Sequence, residues 1–290
     1  MTRILVVGDI HGAPDRYHHK YLAKIAKEKQ CDLVFALGDF GFWEHFTDGV
    51  AFLDEVSELA TESGIPWYAI DGNHDKTSLV LEKHGHTKDP ETGFLTVRDN
   101  LFYVPRGAQW TWDGVRFMGF GGAYSVDKEY RLAWEAEKKA RLEKQNRYRR
   151  EAEVPEADTD TSGQLWFPEE EATDEDVDKI LTDALPIDIL FTHDKPRGSR
   201  PGWNRKDIPE CWPNQDRVQR IAVELKPKLL MHGHLHYKYN QTIRIGDDDS
   251  WLDVYGLDVD GVAGEKAGYK RSDSWAVLTV DGGEFEVSDF

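Results

Sequence analysis

The sequence predicts an α/β fold with a β-rich tail, and three observations carry that prediction. Short apolar runs recur at Ile4 to Val7, Leu33 to Leu37, Trp67 to Ile70, Ile187 to Phe191 and Lys228 to Met231, with the length and composition of buried strands. Amphipathic helical patterns separate the first three runs. After His236 apolar segments continue without helical spacing between them.

In chain order, the strand at Ile4 to Val7 leads to a helix over Pro14 to Gln30, with Tyr21, Leu22 and Ile25 on one face. The strand Leu33 to Leu37 leads to a second helix, which Thr47 can cap and which carries Phe52, Leu53, Val56 and Leu59 before Gly64. With Trp67 to Ile70, the first third reads strand, helix, strand, helix, strand. Strands near Leu101 to Val104 and Val115 to Gly119 follow. The segments Tyr237 to Ile245, Trp251 to Tyr255, Trp275 to Val280 and Glu284 to Val287 read as a meander.

Between these blocks the chain changes character. Residues 127–150 hold nine Lys or Arg and five Asp or Glu, whereas residues 151–178 hold twelve acids and no Lys or Arg. Glu135/Lys139, Glu137/Arg141 and Glu143/Arg147 are acid-before-base pairs at helical spacing, which predicts a projecting, solvated helix from about Asp127 to Glu153, ended by Pro155. The Asp- and Thr-rich stretch Ala157 to Gly163 reads as a flexible loop. The chain is therefore one domain over residues 1–290 with a charged helix and acidic loop inserted at about 127–163. That arm can cap the site, mediate self-association, pair its basic helix with the acidic segment, or be a plain solvated excursion.

Function is written where the strands stop. Asp9-Ile10-His11, Gly38-Asp39, Gly72-Asn73-His74-Asp75, Thr192-His193-Asp194 and Gly233-His234-Leu235-His236 each follow an apolar run. Open α/β sheets gather ligands at the carboxyl ends of their strands, so distant segments can converge on one crevice. Each piece alone has an ordinary reading as a turn or a satisfied histidine; five in order point to metal. Imidazoles, carboxylates and an amide without thiolate suit Mn²⁺, Fe, Zn²⁺, Co²⁺ or Ni²⁺ better than Ca²⁺. Two cations about 3.5–4 Å apart require an anionic bridge, and water held between them loses a proton near neutral pH, ready for in-line attack on phosphorus.

The set Asp-x-His, Gly-Asp, Gly-Asn-His-Asp, His and Gly-His-x-His, spread over most of the chain, resembles the calcineurin-like metallophosphoesterase superfamily. The resemblance implies a four-layer α/β/β/α sandwich of two mixed sheets flanked by helices, with the metals at the rim. It implies that Asp9, His11, Asp39 and His236 hold one metal and that Asp39, Asn73, His193 and His234 hold the second, with Asp39 as the bridge. It gives His74 the role of general acid toward the leaving oxygen, worth typically ~10²–10⁴-fold, and Asp75 that of orienting or charge-stabilising it. A structural role for His74 is the alternative. His232 either orients a ligand or hydrogen-bonds to backbone, and His18 and His19 are expected not to be ligands.

The sequence departs from the family pattern at Gly-Asp-x-x-Asp, because Phe42 stands where many members carry the second Asp. The Arg-Gly continuation and the Gly-Asn-His-Glu form of the Ser/Thr protein phosphatase branch are also missing, which disfavours that branch. Phe42 and Trp43 either stack a nucleobase or other planar group or belong to the core. In the loop Lys195 to Trp203, the cations Lys195, Arg197 and Arg200 either hold an anionic part of the substrate or are solvated.

Bulk properties fit a soluble enzyme, since 290 residues with 39% hydrophobic composition bury a large core. No apolar stretch approaches the ~20 residues that cross a bilayer, and no signal-type preface precedes the first strand, so the expected place is the cytoplasm. Cys31 and Cys211 form neither a spaced metal pair nor a disulfide framework. A formal charge of −18 weighs against gripping duplex nucleic acid by counterion release and favours small phosphorylated substrates, nucleotides first. The expectation is a dinuclear phosphoesterase, diesterase preferred and phosphomonoesters as further substrates, with Mn²⁺ the first metal to try in vitro. The alternatives are a metal-bearing scaffold without turnover and a nuclease acting on nucleic-acid ends.

Overall fold

The computed structural model describes residues 1–12, 18–200, 208–247, 249–259 and 270–290. The amino-terminal half runs β1 (Thr2–Val7), α1 (His18–Glu28), β2 (Leu33–Leu37), α2 (Thr47–Ser63), β3 (Trp67–Ile70), α3 (Thr77–His84), β4 (Leu95–Arg98), β5 (Leu101–Tyr103), β6 (Gln109–Trp112) and β7 (Val115–Phe120). The remainder runs α4 (Lys128–Glu151), α5 (Asp174–Asp183), β8 (Ile189–Thr192), α6 (Trp212–Leu225), β9 (Leu229–His232), β10 (Tyr239–Ile245), β11 (Ser250–Gly256), β12 (Trp275–Asp281) and β13 (Glu284–Ser288).

These strands make a seven-stranded sheet ordered β13-β12-β1-β2-β3-β5-β4 and a six-stranded sheet ordered β10-β11-β9-β8-β7-β6. Strand alternation builds the layers. Ile4 and Val6 of β1, Phe35 of β2, Phe117 of β7, Phe191 of β8 and Met231 of β9 fill the space between the sheets. Leu5, Val7, Val34 and Ala36 point the other way and pack on Leu22, Phe52 and Val56 of α1 and α2. Met118, Leu190 and Leu230 pack on Val177 of α5 and Val218 and Ile221 of α6. The result is the expected α/β/β/α sandwich of two mixed sheets. No helix among the described residues is long and apolar enough to cross a membrane.

β1, β2 and β3 run parallel in one sheet and β7, β8 and β9 in the other. Their carboxyl ends deliver the polar segments to one rim of the sandwich.

Several expectations need correction. The tail is not one meander: β10 and β11 join the second sheet, whereas β12 and β13 extend the first, with β12 antiparallel to β1. Thr47 does not cap α2; Phe46 precedes the helix without a side-chain cap, although Gly64 ends it in the left-handed region as its position suggests. Of the helix expected over Pro14 to Gln30, His18–Glu28 is present and residues 13–17 lie outside the described set. The helices α3, α5 and α6 and the strands β4 and β6 were not read from sequence; Thr173 begins α5 with a capping box closed by Asp176, a signal the sequence did carry.

The charged helix forms over nearly its predicted span, but it is docked rather than projecting. Arg131, Glu135 and Asn146 are buried. Glu135 does not pair with Lys139 at the surface: its Oε1 accepts the main-chain N–H groups of Gln164, Leu165 and Trp166 at 2.9, 2.6 and 3.1 Å. Asn146 exchanges two hydrogen bonds with the Ala157 main chain at 2.7 and 2.8 Å, and the Thr161 hydroxyl donates to the Glu135 carbonyl at 2.7 Å. The acidic stretch read as a loose loop is thus tied to the helix by polar groups that burial obliges to pair.

Candidate metal centre

Five chain segments meet at the rim. Asp9, His11 and His236 bring ligand atoms within 4.8 Å of one another, as do His11, Asp39 and His74, and Asp9, Asp39 and His193. Asp39 Oδ2 lies 3.7 Å from His11 Nε2 and 3.8 Å from His74 Nε2, while its Oδ1 lies 3.4 Å from His193 Nε2. Asp9 Oδ2 lies 2.9 Å from His236 Nε2, and His11 Nε2 is 3.2 Å from the same nitrogen. The His234 ring stands beside that of His193, with centroids 5.0 Å apart, and its main-chain N–H donates to Asp9 Oδ1 at 2.8 Å. Asp9 and His193 are fully buried, whereas the side chains of His74 and His236 are 31% and 33% exposed, so the cluster opens to solvent on their side.

The local backbone is shaped for these positions. His11, Asp39, His234 and His236 have φ of 48°, 45°, 63° and 48°, a left-handed conformation that costs about 1–3 kcal/mol per residue and collects at functional sites. Glycines give the ligands room: a Cβ on Gly72 would stand 2.1 Å from Asp39 Oδ1, and one on Gly233 would stand 2.1 Å from Asp9 Oδ1.

The donor set fits divalent cations. His193 Nδ1 donates to the Leu37 carbonyl at 2.7 Å, the type of contact that fixes a ligating histidine. Its Nε2 then directs a lone pair at Asn73 Oδ1, 3.0 Å away, and at Asp39. Asn73 is oriented in turn: its Nδ2 donates to Ser125 Oγ at 3.0 Å, and the Ser125 hydroxyl is engaged by the buried Glu170 carboxylate. Electron-pair donors facing one another in a buried site require a positive charge between them. In the protein alone that demand falls on protons. Burial disfavours a charged His193, but Asp39 and Asp9 outweigh it and raise the imidazole to about 10. Burial likewise opposes ionisation of Asp9, and His236 and His193 overcome it and hold Asp9 at about 2. Nitrogen and oxygen donors without sulfur suit first-row transition metals.

The other predicted site residues fall elsewhere. Asp75 does not touch the His74 ring. Its buried carboxylate accepts the main-chain N–H groups of Phe40, Gly41, Phe42 and Gly72 at 3.1, 2.9, 2.8 and 2.8 Å, so it staples the loop after Asp39 to the loop before Asn73. Burial and the Asp39 charge push its carboxyl up to about 7 against those amides. Phe42 is 1% exposed between Phe40 and Tyr103, with ring centroids at 5.0 and 5.5 Å, which leaves no face for a nucleobase. Trp43 is half-buried and its indole N–H donates to the His74 carbonyl. Lys195 is buried and donates to the Ser199 carbonyl at 2.9 Å and to Gln215 Oε1 at 3.2 Å. Arg197 stacks over Trp212 at 3.9 Å and pairs with Asp216 at 3.3 Å. These four side chains are spent on the protein itself. Trp203 lies outside the described residues.

His232 is buried, with Nε2 2.7 Å from the Tyr239 hydroxyl and Nδ1 2.8 Å from the Gly233 carbonyl oxygen, which makes it support for the segment carrying His234. Sequence reading missed Ser125, Glu170 and Arg131, whose Nη2 lies 2.9 Å from His74 Nδ1. It also missed Arg106, which pairs with Asp71 at 2.6 Å and reaches the Glu170 carbonyl at 3.2 Å. No local motif marks any of them.

The family profile of calcineurin-like phosphoesterases matches residues 2–238. The lariat debranching enzyme of Schizosaccharomyces pombe is 24% identical in an alignment covering 89% of this chain and 53% of that protein; the chain spans about half the length of that curated relative. The crystal structure of a dimetal phosphatase from Danio rerio superposes with a TM-score of 0.54 at 12% identity, over 100% of this chain and 96% of that one. A further crystal structure gives 0.53 at 14% identity, over 99% and 98%. At such identity these structures speak for the fold alone.

Proposed function

Because this chain belongs to the calcineurin-like phosphoesterase family, we propose that it hydrolyses phosphodiesters of small nucleotide-like molecules at a two-metal centre. The observation that carries the reading is the position of Asp39. One oxygen faces His193 at 3.4 Å while the other faces His11 and His74 at 3.7 and 3.8 Å, the arrangement a bridging carboxylate needs. Asp9, His11 and His236 would complete one site, and Asn73, His193 and His234 the other. Divalent cations held there would neutralise phosphoryl oxygens and acidify the attacking water.

The chain's own residues supply the remainder. His74 stands at the open side of the cluster, where a leaving oxygen would lie. Burial, opposed by Asp39 and reinforced by His11 and Arg131, lowers its imidazole to about 3. The likeness to a debranching enzyme supports a diester, and a net charge of −18 supports a small substrate over a long polyanion.

The test is hydrolysis of bis(p-nitrophenyl) phosphate beside p-nitrophenyl phosphate by metal-stripped protein reloaded with Mn²⁺, with Asp39→Asn as control. Diester turnover and binding of two ions, both lost in the variant, are expected. Monoester turnover alone would redirect the search to phosphatase substrates, and no turnover with any of several metals would favour a scaffold.

A further inference from the structure

Arg131 lies in the first turn of α4 with a side chain only 5% exposed. Its guanidinium is turned inward. Nε pairs with Asp127 at 2.9 Å, and Nη1 donates to the carbonyls of Leu165 at 3.2 Å and Asn73 at 3.4 Å. Nη2 lies 2.9 Å from His74 Nδ1 and also touches Nε2. A planar fork held on three sides is a rigid mount. The Leu165 carbonyl it uses belongs to the segment whose amides Glu135 fixes from the same helix.

The His74 main chain has other supports, since its N–H donates to Asp39 Oδ1 at 2.7 Å and its carbonyl accepts from Trp43. Arg131 adds a contact to the Asn73 carbonyl and restrains the His74 ring itself. Buried as it is, Arg131 does not reach a substrate, whereas the His74 side chain is 31% exposed.

We propose that Arg131 is a positioning residue for the reaction: α4 delivers a guanidinium that holds the His74 imidazole against the leaving oxygen, so this charged helix completes the active site. The proposal rests on the phosphoesterase reading given above. A helix that were only a solvated excursion would not bury an arginine, a glutamate and an asparagine against the body.

The experiment measures kcat and KM on Mn²⁺-loaded enzyme with methyl p-nitrophenyl phosphate and methyl phenyl phosphate, a good and a poor leaving group. The variants are Arg131→Ala, Arg131→Lys, His74→Ala and the Arg131→Ala/His74→Ala pair. A misplaced catalytic group costs about 10²-fold, so Arg131→Ala should lower kcat by about that factor for the phenyl ester and less for the p-nitrophenyl ester. KM should stay within about twofold, Arg131→Lys should recover part of the loss, and the double variant should be no slower than His74→Ala. Equal losses on both esters, a change confined to KM, or multiplying losses in the double variant would overturn the proposal. Should Arg131→Ala fold poorly, Asp127→Asn loosens the guanidinium from outside the site, and an unchanged leaving-group dependence there would count against it. Full turnover by His74→Ala would instead remove the premise; normal dependence on His74 with an unaffected Arg131→Ala sinks the proposal alone.

Discussion

Asn73 Nδ2 donates to Ser125 Oγ at 3.0 Å, and this turns the amide oxygen of Asn73 toward His193 Nε2, 3.0 Å away. A residue 52 positions distant thus decides which end of the amide faces the centre. Ser125→Ala should keep the fold and weaken one of the two proposed metal sites, by about 10–100-fold as is typical for groups that orient ligands. Calorimetric titration with Mn²⁺ would check this, and two ions bound as in wild type would refute it.

Asp75 should act on stability. Asp75→Ala leaves four buried amides without their acceptor, and each orphaned group costs ~1–3 kcal/mol before water enters, so a loss of about 4 kcal/mol or more is expected in denaturant unfolding. Asp75→Asn, which keeps one oxygen, should lose less. Neither substitution should change the ratio of rates for good and poor leaving groups; a selective loss on poor ones would restore the charge-stabilising role.

Gly233→Ala would place a methyl 2.1 Å from Asp9 Oδ1, and Gly233 is followed immediately by His234. Metal stoichiometry should fall and diester hydrolysis should drop by at least about 10²-fold, the cost of a misplaced reacting group. Normal metal content by elemental analysis would show that Asp9 can move aside.

Glu44 offers a pH test away from the centre. Its buried carboxylate accepts from Arg98 Nη2 at 3.1 Å and lies 2.6 Å from His84 Nε2. Burial disfavours the charge, but His84 and Arg98 outweigh it, and the folded pKa lies below the usual 4.5. The sign follows: the contribution is fully present above about 4.5 and is lost as pH falls through the folded value. Glu44→Gln should therefore lower the melting temperature at pH 7 and narrow the gap to wild type as pH drops toward 3. A gap that stays constant across that range would exclude the ionic contribution.

The eight residues from Asp9 to His236 that meet in the cluster were legible because their signal is local. An apolar run sets a strand, a glycine makes the turn, and a ligand-type side chain follows at the strand's end; the sheets then bring those ends to one rim. The charged helix was legible too, through its acid-before-base spacing. What each remaining side chain does depended on partners far along the chain. Asp75 is answered by amides 33 to 35 residues away, Lys195 by Gln215, and Phe42 by Tyr103. Arg131 looks like any other cation of a solvated helix until the fold sets it against His74, 57 residues earlier. The sequence by itself determined the family and which side chains of metal-binding type stand at the strand ends, because both are properties of short segments. Only the tertiary structure decided which carboxylate faces the cluster and which is a staple, and which cation is solvated and which built in. Burial removes water as a partner, and the groups that replace water come from wherever the chain folds back.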